Sequence, residues 1–199
     1  MFTRVSKYQI VANNIVNMAG TLVDVGARDR VLCQYIQASA LQYLSSDITP
    51  GHDFYWDLEK RLEVPDNSFE VVVALDVLEH VEMIHDALRE LLRIAKKKLF
   101  ISLPNMTCLS FRLHFFRYGQ LSGKYTLPPA HQGDRHRWLT SYPQVCAFVK
   151  RIAQTARCSV RQYNILEGYS RWQTLISNLP LPAALRTYTI LFEITKPIA

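Results

Sequence analysis

The sequence is short of every feature that would place it outside the ordinary globular class. No apolar run approaches the ~20 residues a membrane span needs, and mean hydropathy is −0.02. The opening Met1-Phe2-Thr3-Arg4-Val5-Ser6-Lys7 has none of the apolar core of a secretory leader. Cys33, Cys108, Cys146 and Cys158 are far apart and include no C-x-x-C pair, which argues against a disulfide scaffold and against a structural zinc site. Glycine is scarce, seven in 199 residues, and repeats and low-complexity stretches are missing. With 49% hydrophobic residues a substantial core is available. The expectation is a soluble, cytoplasmic protein with reduced thiols, residues 1–199 forming a single domain.

Charge is unevenly spread. The net charge is +6, yet residues 105–161 hold nine of the basic residues, among them Arg112, Arg117, Lys124, Arg135 and Arg137, against Asp134 alone. That segment carries +8 and the remainder −2. Such a field suits an anionic ligand or surface, and it marks a basic insertion at about residues 105–142.

The first hundred residues alternate between two periods. Apolar positions predict helices over residues 5–18, 31–40 and 84–95. Between them stand strand-like runs at 21–25, 41–46, 71–75 and 99–103, with a short candidate near 54–56. The run Val71-Val72-Val73-Ala74-Leu75 is continuously apolar, as a parallel strand buried on both faces is. Strands alternating with helices predict βαβ units and an α/β, Rossmann-like three-layer sandwich. Beyond them, helices are expected over 109–117 and 144–156 and strands over 160–166 and 188–195. In the last strand Tyr188, Ile190, Phe192 and Ile194 alternate onto one face.

In an open α/β sheet, ligands bind beyond the carboxyl ends of the strands. The first such end reads Asp24-Val25-Gly26-Ala27-Arg28-Asp29, and Asp47 closes the second strand. An acid there can accept hydrogen bonds from both hydroxyls of a ribose, which serves NAD and S-adenosylmethionine equally. The turn separates them. A pyrophosphate needs several glycines to approach the helix amides, and here only Gly26 is present, preceded by a carboxylate that would repel it. A sulfonium cofactor with a cationic amino group has the opposite need, so charge favours S-adenosylmethionine. Asp29 is expected to cap the helix that follows.

Asp24-x-Gly26, Asp47, Asp57-Leu58, the continuous stretch Pro65-Asp66-Asn67-Ser68-Phe69-Glu70-Val71-Val72-Val73-Ala74-Leu75-Asp76-Val77-Leu78-Glu79-His80-Val81, and Ser102-Leu103-Pro104-Asn105 together resemble a class I S-adenosylmethionine-dependent methyltransferase, closest to the small-molecule type 11 group. The resemblance covers residues 21–105 well and the rest loosely. It implies a seven-stranded, mostly parallel sheet whose last strand is antiparallel. It also implies that Asp24, Gly26 and Ala27 bound the turn around the methionine part and that Asp47 binds ribose with Ile48 against adenine. Asp57 and the Leu58 amide would meet the adenine edge, and Leu75 with Asp76 would floor the sulfonium. The family turn is usually D-x-G-x-G-x-G, whereas this chain has Arg28 and Arg30 at the later glycine positions. Their side chains either crowd the loop or leave it.

Methyl transfer is a direct displacement in which orientation supplies much of the rate, and a general base is needed only for a protonated acceptor. The candidates are His80 and Asp76 after the fourth strand, and His131 and His136 in His131-Gln132-Gly133-Asp134-Arg135-His136-Arg137-Trp138, with His136 preferred over His131. His80 and Glu79 also suit packing and capping roles. The resemblance places the His-x-Trp element near the substrate, so Asn105, Arg137 and Trp138 are expected on the acceptor side. After the fourth strand no Asn-Pro-Pro-aromatic element occurs, which argues against planar amino groups as acceptors. The expected activity is methylation of an O or N atom of a small metabolite, an anionic one favoured by the charge, with no metal. The alternative is a non-catalytic S-adenosylmethionine-binding or partner- or RNA-binding subunit; membrane docking of the basic and aromatic run 111–118 is less favoured.

Overall fold

Continuous apolar runs become strands, and runs of period 3.6 become the helices that cover them. The computed structural model describes residues 1–199 apart from 38, 122, 128, 131–132, 167–177 and 198–199. Its strands are β1 (Phe2–Thr3), β2 (Ala19–Val25), β3 (Ala40–Asp47), β4 (Phe54–Tyr55), β5 (Phe69–Leu75), β6 (Ala95–Pro104), β7 (Ser159–Ile165) and β8 (Thr189–Thr195). Its helices are α1 (Lys7–Ile15), α2 (Ile84–Ile94), α3 (Leu109–Tyr118), α4 (Tyr142–Thr155) and the single turn α5 (Ala183–Arg186). The strands form one sheet in the order β1-β7-β8-β6-β5-β2-β3-β4. All pairings are parallel except those of β8, which runs antiparallel to both β6 and β7.

Each face of the sheet is covered. On one, Leu88 and Leu91 of α2 and Val149 and Ile152 of α4 pack on Val72, Leu99, Ile101, Ile190 and Phe192. On the other, Ile10, Val11 and Ile15 of α1 pack with Leu22, Leu32, Val71, Val73, Phe100 and Leu191. No helix among the described residues is long and apolar enough to cross a membrane.

The expected α/β sandwich with its antiparallel last strand is found, with three differences. The sheet has eight strands, because the two residues of β1 add to the edge of β7, where Asn164 N–H donates to the Met1 carbonyl at 2.7 Å. The helix expected over 31–40 is only a 3-10 turn, Val31–Gln34, starting from Arg30 rather than from an Asp29 cap. Arg28 (φ 40°) and Arg30 (φ 53°) both take left-handed backbone, which uses up the residues a first helical turn would need. Finally, β8 is buried on both faces, since it lies between β6 and β7, and Leu191 and Glu193 are as covered as Ile190 and Phe192.

Beyond β6 the chain turns on Asn105, a residue expected on the acceptor side. The structure puts it fully in the interior. Its amide donates to the Ala184 and Thr187 carbonyls at 2.8 Å each, and its Oδ1 accepts from Thr107 N–H, Thr107 O–H and Tyr142 N–H at 2.9–3.2 Å. One side chain thus ties the end of β6 to the starts of α4 and β8. Asn105→Ala would strand several buried backbone groups, each costing about 1–3 kcal/mol. The expected loss in urea denaturation is about 2–4 kcal/mol; a loss under about 1 kcal/mol would mean that water replaces these bonds.

Candidate active site

The carboxyl ends of β2, β3 and β5 lie side by side, with Asp24 in register with Ser45 and Val73 and Val25 in register with Ser46. The turn after β2 is held to β3 by two backbone bonds, Gly26 N–H and Ala27 N–H both donating to the Ser46 carbonyl at 2.8 and 3.0 Å. Gly26 has φ +68°, and a Cβ built on it would stand 2.5 Å from Val77 Cγ2, so only glycine fits there. Arg28 and Arg30 supply the left-handed backbone that glycines would otherwise supply, and their side chains leave the turn. The Arg28 guanidinium pairs with Asp134 at 3.0 Å, and that of Arg30 with the Gly51 carbonyl.

Asp24 is buried, and its one hydrogen bond is accepted from the Tyr43 hydroxyl at 2.8 Å. Burial pushes its carboxyl up to about 7, outweighing the lowering effect of that bond. Asp47 is half-buried at the end of β3. Its Oδ1 accepts from Thr49 N–H and O–H at 2.9 and 3.0 Å, and among the described residues its Oδ2 accepts only from Arg28 N–H at 3.2 Å. Burial raises its pKa, but these bonds outweigh it and hold the group below the usual carboxylate range. Ile48 stands beside it with 64% of its surface exposed. After β4, Asp57 Oδ1 accepts from Glu59 N–H at 3.0 Å and Leu58 is buried.

At the end of β5, Leu75 is half-buried and Asp76 takes a left-handed backbone (φ 56°). Both of its carboxylate oxygens are engaged, Oδ2 by the Lys7 ammonium and Oδ1 by the Ser102 hydroxyl at 2.6 Å. Asp76 is therefore a poor general base. Lys7, from the start of α1, is a site residue that the sequence pattern did not signal.

The acceptor-side residues are gathered by a clip. Arg137 N–H donates to the Glu79 carbonyl at 2.8 Å and its Nε to the His80 carbonyl at 3.0 Å, while Trp138 Nε1 donates to the Val81 carbonyl at 2.8 Å. Arg137 and Trp138, expected to meet substrate, thus fasten their segment onto the 3-10 turn Leu78–His80. The fastening brings His136 to His80, their rings edge-on with centroids 4.6 Å apart, and sets His136 Nε2 3.9 Å from Glu79 Oε1. Burial, with a contribution from His80, brings His136 down to about 4, and burial with Lys124 lowers His80. Burial and the neighbouring Asp76 push Glu79 up to about 8. The cluster is therefore two neutral imidazoles beside a buried carboxyl. His131 lies outside the described residues.

Asp134 joins the two halves. Its carboxylate pairs with Arg28 at 3.0 Å, with Lys124 at 2.7 Å and with His80 Nδ1 at 3.3 Å. As the lone acid in a +8 segment it was the one available signal for this role, and the sequence reading passed over it.

A scan of protein families matches the description "Methyltransferase domain" to residues 9–153. The chain belongs to the methyltransferase domain family. It is an S-adenosylmethionine-dependent enzyme. No curated protein matches the sequence. Among solved structures, the chain aligns over its full length with the small RNA methyltransferase HEN1 (TM-score 0.67, 14% identity), spanning 27% of that protein. A putative S-adenosylmethionine-dependent methyltransferase from Listeria monocytogenes matches with TM-score 0.63 at 9% identity, covering 96% of this chain and 98% of that one. Magnesium protoporphyrin IX methyltransferase from Synechocystis, with bound SAH, matches with TM-score 0.57 at 17% identity, covering 96% and 83%.

The residues of this methyltransferase fit its cofactor. Asp24 is a buried carboxyl without an ion-pair partner among the described residues, suited to a cationic amino group. Asp47 Oδ2 keeps a lone pair for a hydroxyl. The Asp24 shift has a testable sign. Its folded pKa of about 7 exceeds the ordinary 3.8, so the folded state holds a proton that the unfolded chain has lost. This contribution is full below about pH 4 and is lost as pH rises toward 7. Without cofactor, Asp24→Asn should therefore gain stability over the wild type by about 2–3 kcal/mol more at pH 8 than at pH 5. Urea denaturation at both pH values reads this. An equal difference at the two would mean that the buried charge carries no cost.

Proposed function

We propose that this methyltransferase methylates an oxygen or nitrogen of a small anionic acceptor, bound between the carboxyl edge of the sheet and the basic insertion at about residues 105–142. The supporting observation is the convergence of Asp24, Gly26, Asp47 and Asp76 at one sheet edge with the Glu79–His80–His136 cluster beside it. The two relatives' named substrates, a small RNA and magnesium protoporphyrin IX, differ widely in size. The choice of acceptor here therefore rests on this chain's own charge.

S-adenosylmethionine supplies a methyl group on a cationic sulfur. In this reading Asp24 meets the amino group, and Gly26 and Ala27 bound the turn around the methionine part. Asp47 accepts from the ribose and Ile48 lies along the adenine, while Asp57 and the Leu58 amide meet the adenine edge. Leu75 and Asp76 form the floor. Fixing both reactants in line can supply about 7–11 kcal/mol of the barrier reduction. The acceptor's proton is lost at the imidazole cluster. His80 Nδ1 faces the Arg135 carbonyl at 2.9 Å and Asp134 at 3.3 Å, so Nδ1 carries the hydrogen and Nε2 the lone pair.

Asp47→Ala removes the ribose acceptor without opening the core. Calorimetric titration should show S-adenosylmethionine and its demethylated product binding about 10–100-fold more weakly, the equivalent of about 1.5–3 kcal/mol for bonds to a charged group. The variant should remain folded, with a lower melting temperature because Arg28 N–H and Thr49 N–H and O–H lose their acceptor. Unchanged affinity would remove Asp47 from the site. Labelled-methyl transfer to RNA, with none to carboxylated or phosphorylated small molecules, would overturn the acceptor class.

A further inference from the structure

We propose that Glu79, His80 and His136 form a site for one divalent transition-metal ion. The usable donor atoms of these three side chains all lie within 4.8 Å of one another. Two ligands of one ion, each about 2.1 Å from it, stand at most about 4.2 Å apart. The observed spacing is thus within a small side-chain adjustment of coordination.

Two independent features point to a ligand here. The first is unmet hydrogen-bonding capacity in the interior. Glu79 is 1% exposed, yet among the described residues its Oε2 has no hydrogen-bond partner, and neither has the buried His136 Nδ1. The approach of His136 Nε2 to Glu79 Oε1, 3.9 Å, is too long for a hydrogen bond. Buried polar groups are normally satisfied, and an ion at this point would satisfy the carboxylate.

The second is the way His80 is held. Its Nδ1 has only acceptors before it, the Arg135 carbonyl at 2.9 Å and Asp134 at 3.3 Å. A metal-bound histidine characteristically donates its other ring hydrogen to a carbonyl or carboxylate, which fixes the ring and leaves one nitrogen for the metal. The clip formed by Arg137 and Trp138 fastens His136 onto the turn that carries the other two ligands, so the set is preformed.

Two imidazoles with one carboxylate favour Zn²⁺, Mn²⁺, Fe²⁺ or Co²⁺ over Mg²⁺ or Ca²⁺, whose preferred ligands are oxygens. Three protein ligands leave positions open. Resting on the proposed function, those positions would take an acceptor oxygen whose pKa the ion would lower, and with both imidazoles ligating, its proton would pass to water instead of to the cluster. An anionic acceptor would also balance the ion's charge.

The test is a calorimetric titration of chelator-stripped protein with Mn²⁺ and with Zn²⁺, with the loss of the free-Mn²⁺ electron paramagnetic resonance signal as a second readout. One equivalent should bind, and His136→Ala and Glu79→Gln should each weaken binding at least about tenfold. No saturable binding by the wild type, or unchanged affinity in both variants, overturns the site. The near-isosteric Glu79→Gln guards against misfolding as the cause of a loss. S-adenosylmethionine binding is measured on the same samples and should persist in both variants. Its absence in the wild type would sink the proposed function while leaving the metal result standing.

Discussion

A carboxylate can stay in a protein interior only if something offsets its lost hydration, and among the described residues three acids are buried: Asp24, Glu79 and Glu193. Glu193 is served from within the chain, by Lys98 at 2.6 Å and the Tyr163 hydroxyl at 3.0 Å. Asp24 has one hydroxyl, and Glu79 has an oxygen with no hydrogen-bond partner. The difference follows position. Glu193 lies opposite Phe100 in the sheet, where the strands serve the core, whereas Asp24 and Glu79 stand at the carboxyl ends, where parallel strands leave a crevice. The under-served acids are those a cationic ligand could reach.

The same edge explains how arginines can stand where the family has glycines. A left-handed non-glycine residue costs roughly 1–2 kcal/mol, and the turn carries two, Arg28 and Arg30. The ion pair between Arg28 and Asp134 is solvent-exposed and contributes less than about 1 kcal/mol, so it cannot hold the turn alone. The turn is held by Gly26 N–H and Ala27 N–H donating to the Ser46 carbonyl and by Arg28 N–H donating to the Asp47 carboxylate. The arginine side chains are then free to link the turn to the acceptor-side segment through Asp134.

Much of the architecture was legible because it rests on periodicity. The continuously apolar runs at 71–75 and 99–103 read as strands covered on both faces, as the helix-flanked centre of the sheet makes them. The turn after β2 was read less well. Residues 31–40 have a helical pattern, but a pattern cannot show that two preceding residues take left-handed backbone, a conformation fixed by tertiary bonds to Ser46 and Asp47. The acceptor side was harder still. His136 was singled out by residue type, yet its neighbours Arg137 and Trp138 turned out to be the clip that positions it, and Asn105 a hinge inside the core. Polar residues beside a site look alike in sequence whether they face ligand or backbone. Lys7 acts across a long sequence separation and leaves no local trace, whereas Asp134 is marked only as the lone acid of a basic segment.

The charge arrangement also bears on rate. Transfer from a sulfonium disperses positive charge as the bond to sulfur breaks, so a bare carboxylate against the sulfur would stabilise the starting state more than the transition state and slow the reaction. In the proposed assignment Asp76 is the acid of the floor, and it is the one whose two oxygens are already engaged by Lys7 and Ser102. The less engaged acids, Asp24 and Asp47, are assigned to the amino group and the ribose, whose charge and hydrogen bonding do not change during transfer. Binding strength is thereby placed where it orients the cofactor equally in both states, and the charge beside the reacting atom is neutralised by the chain itself.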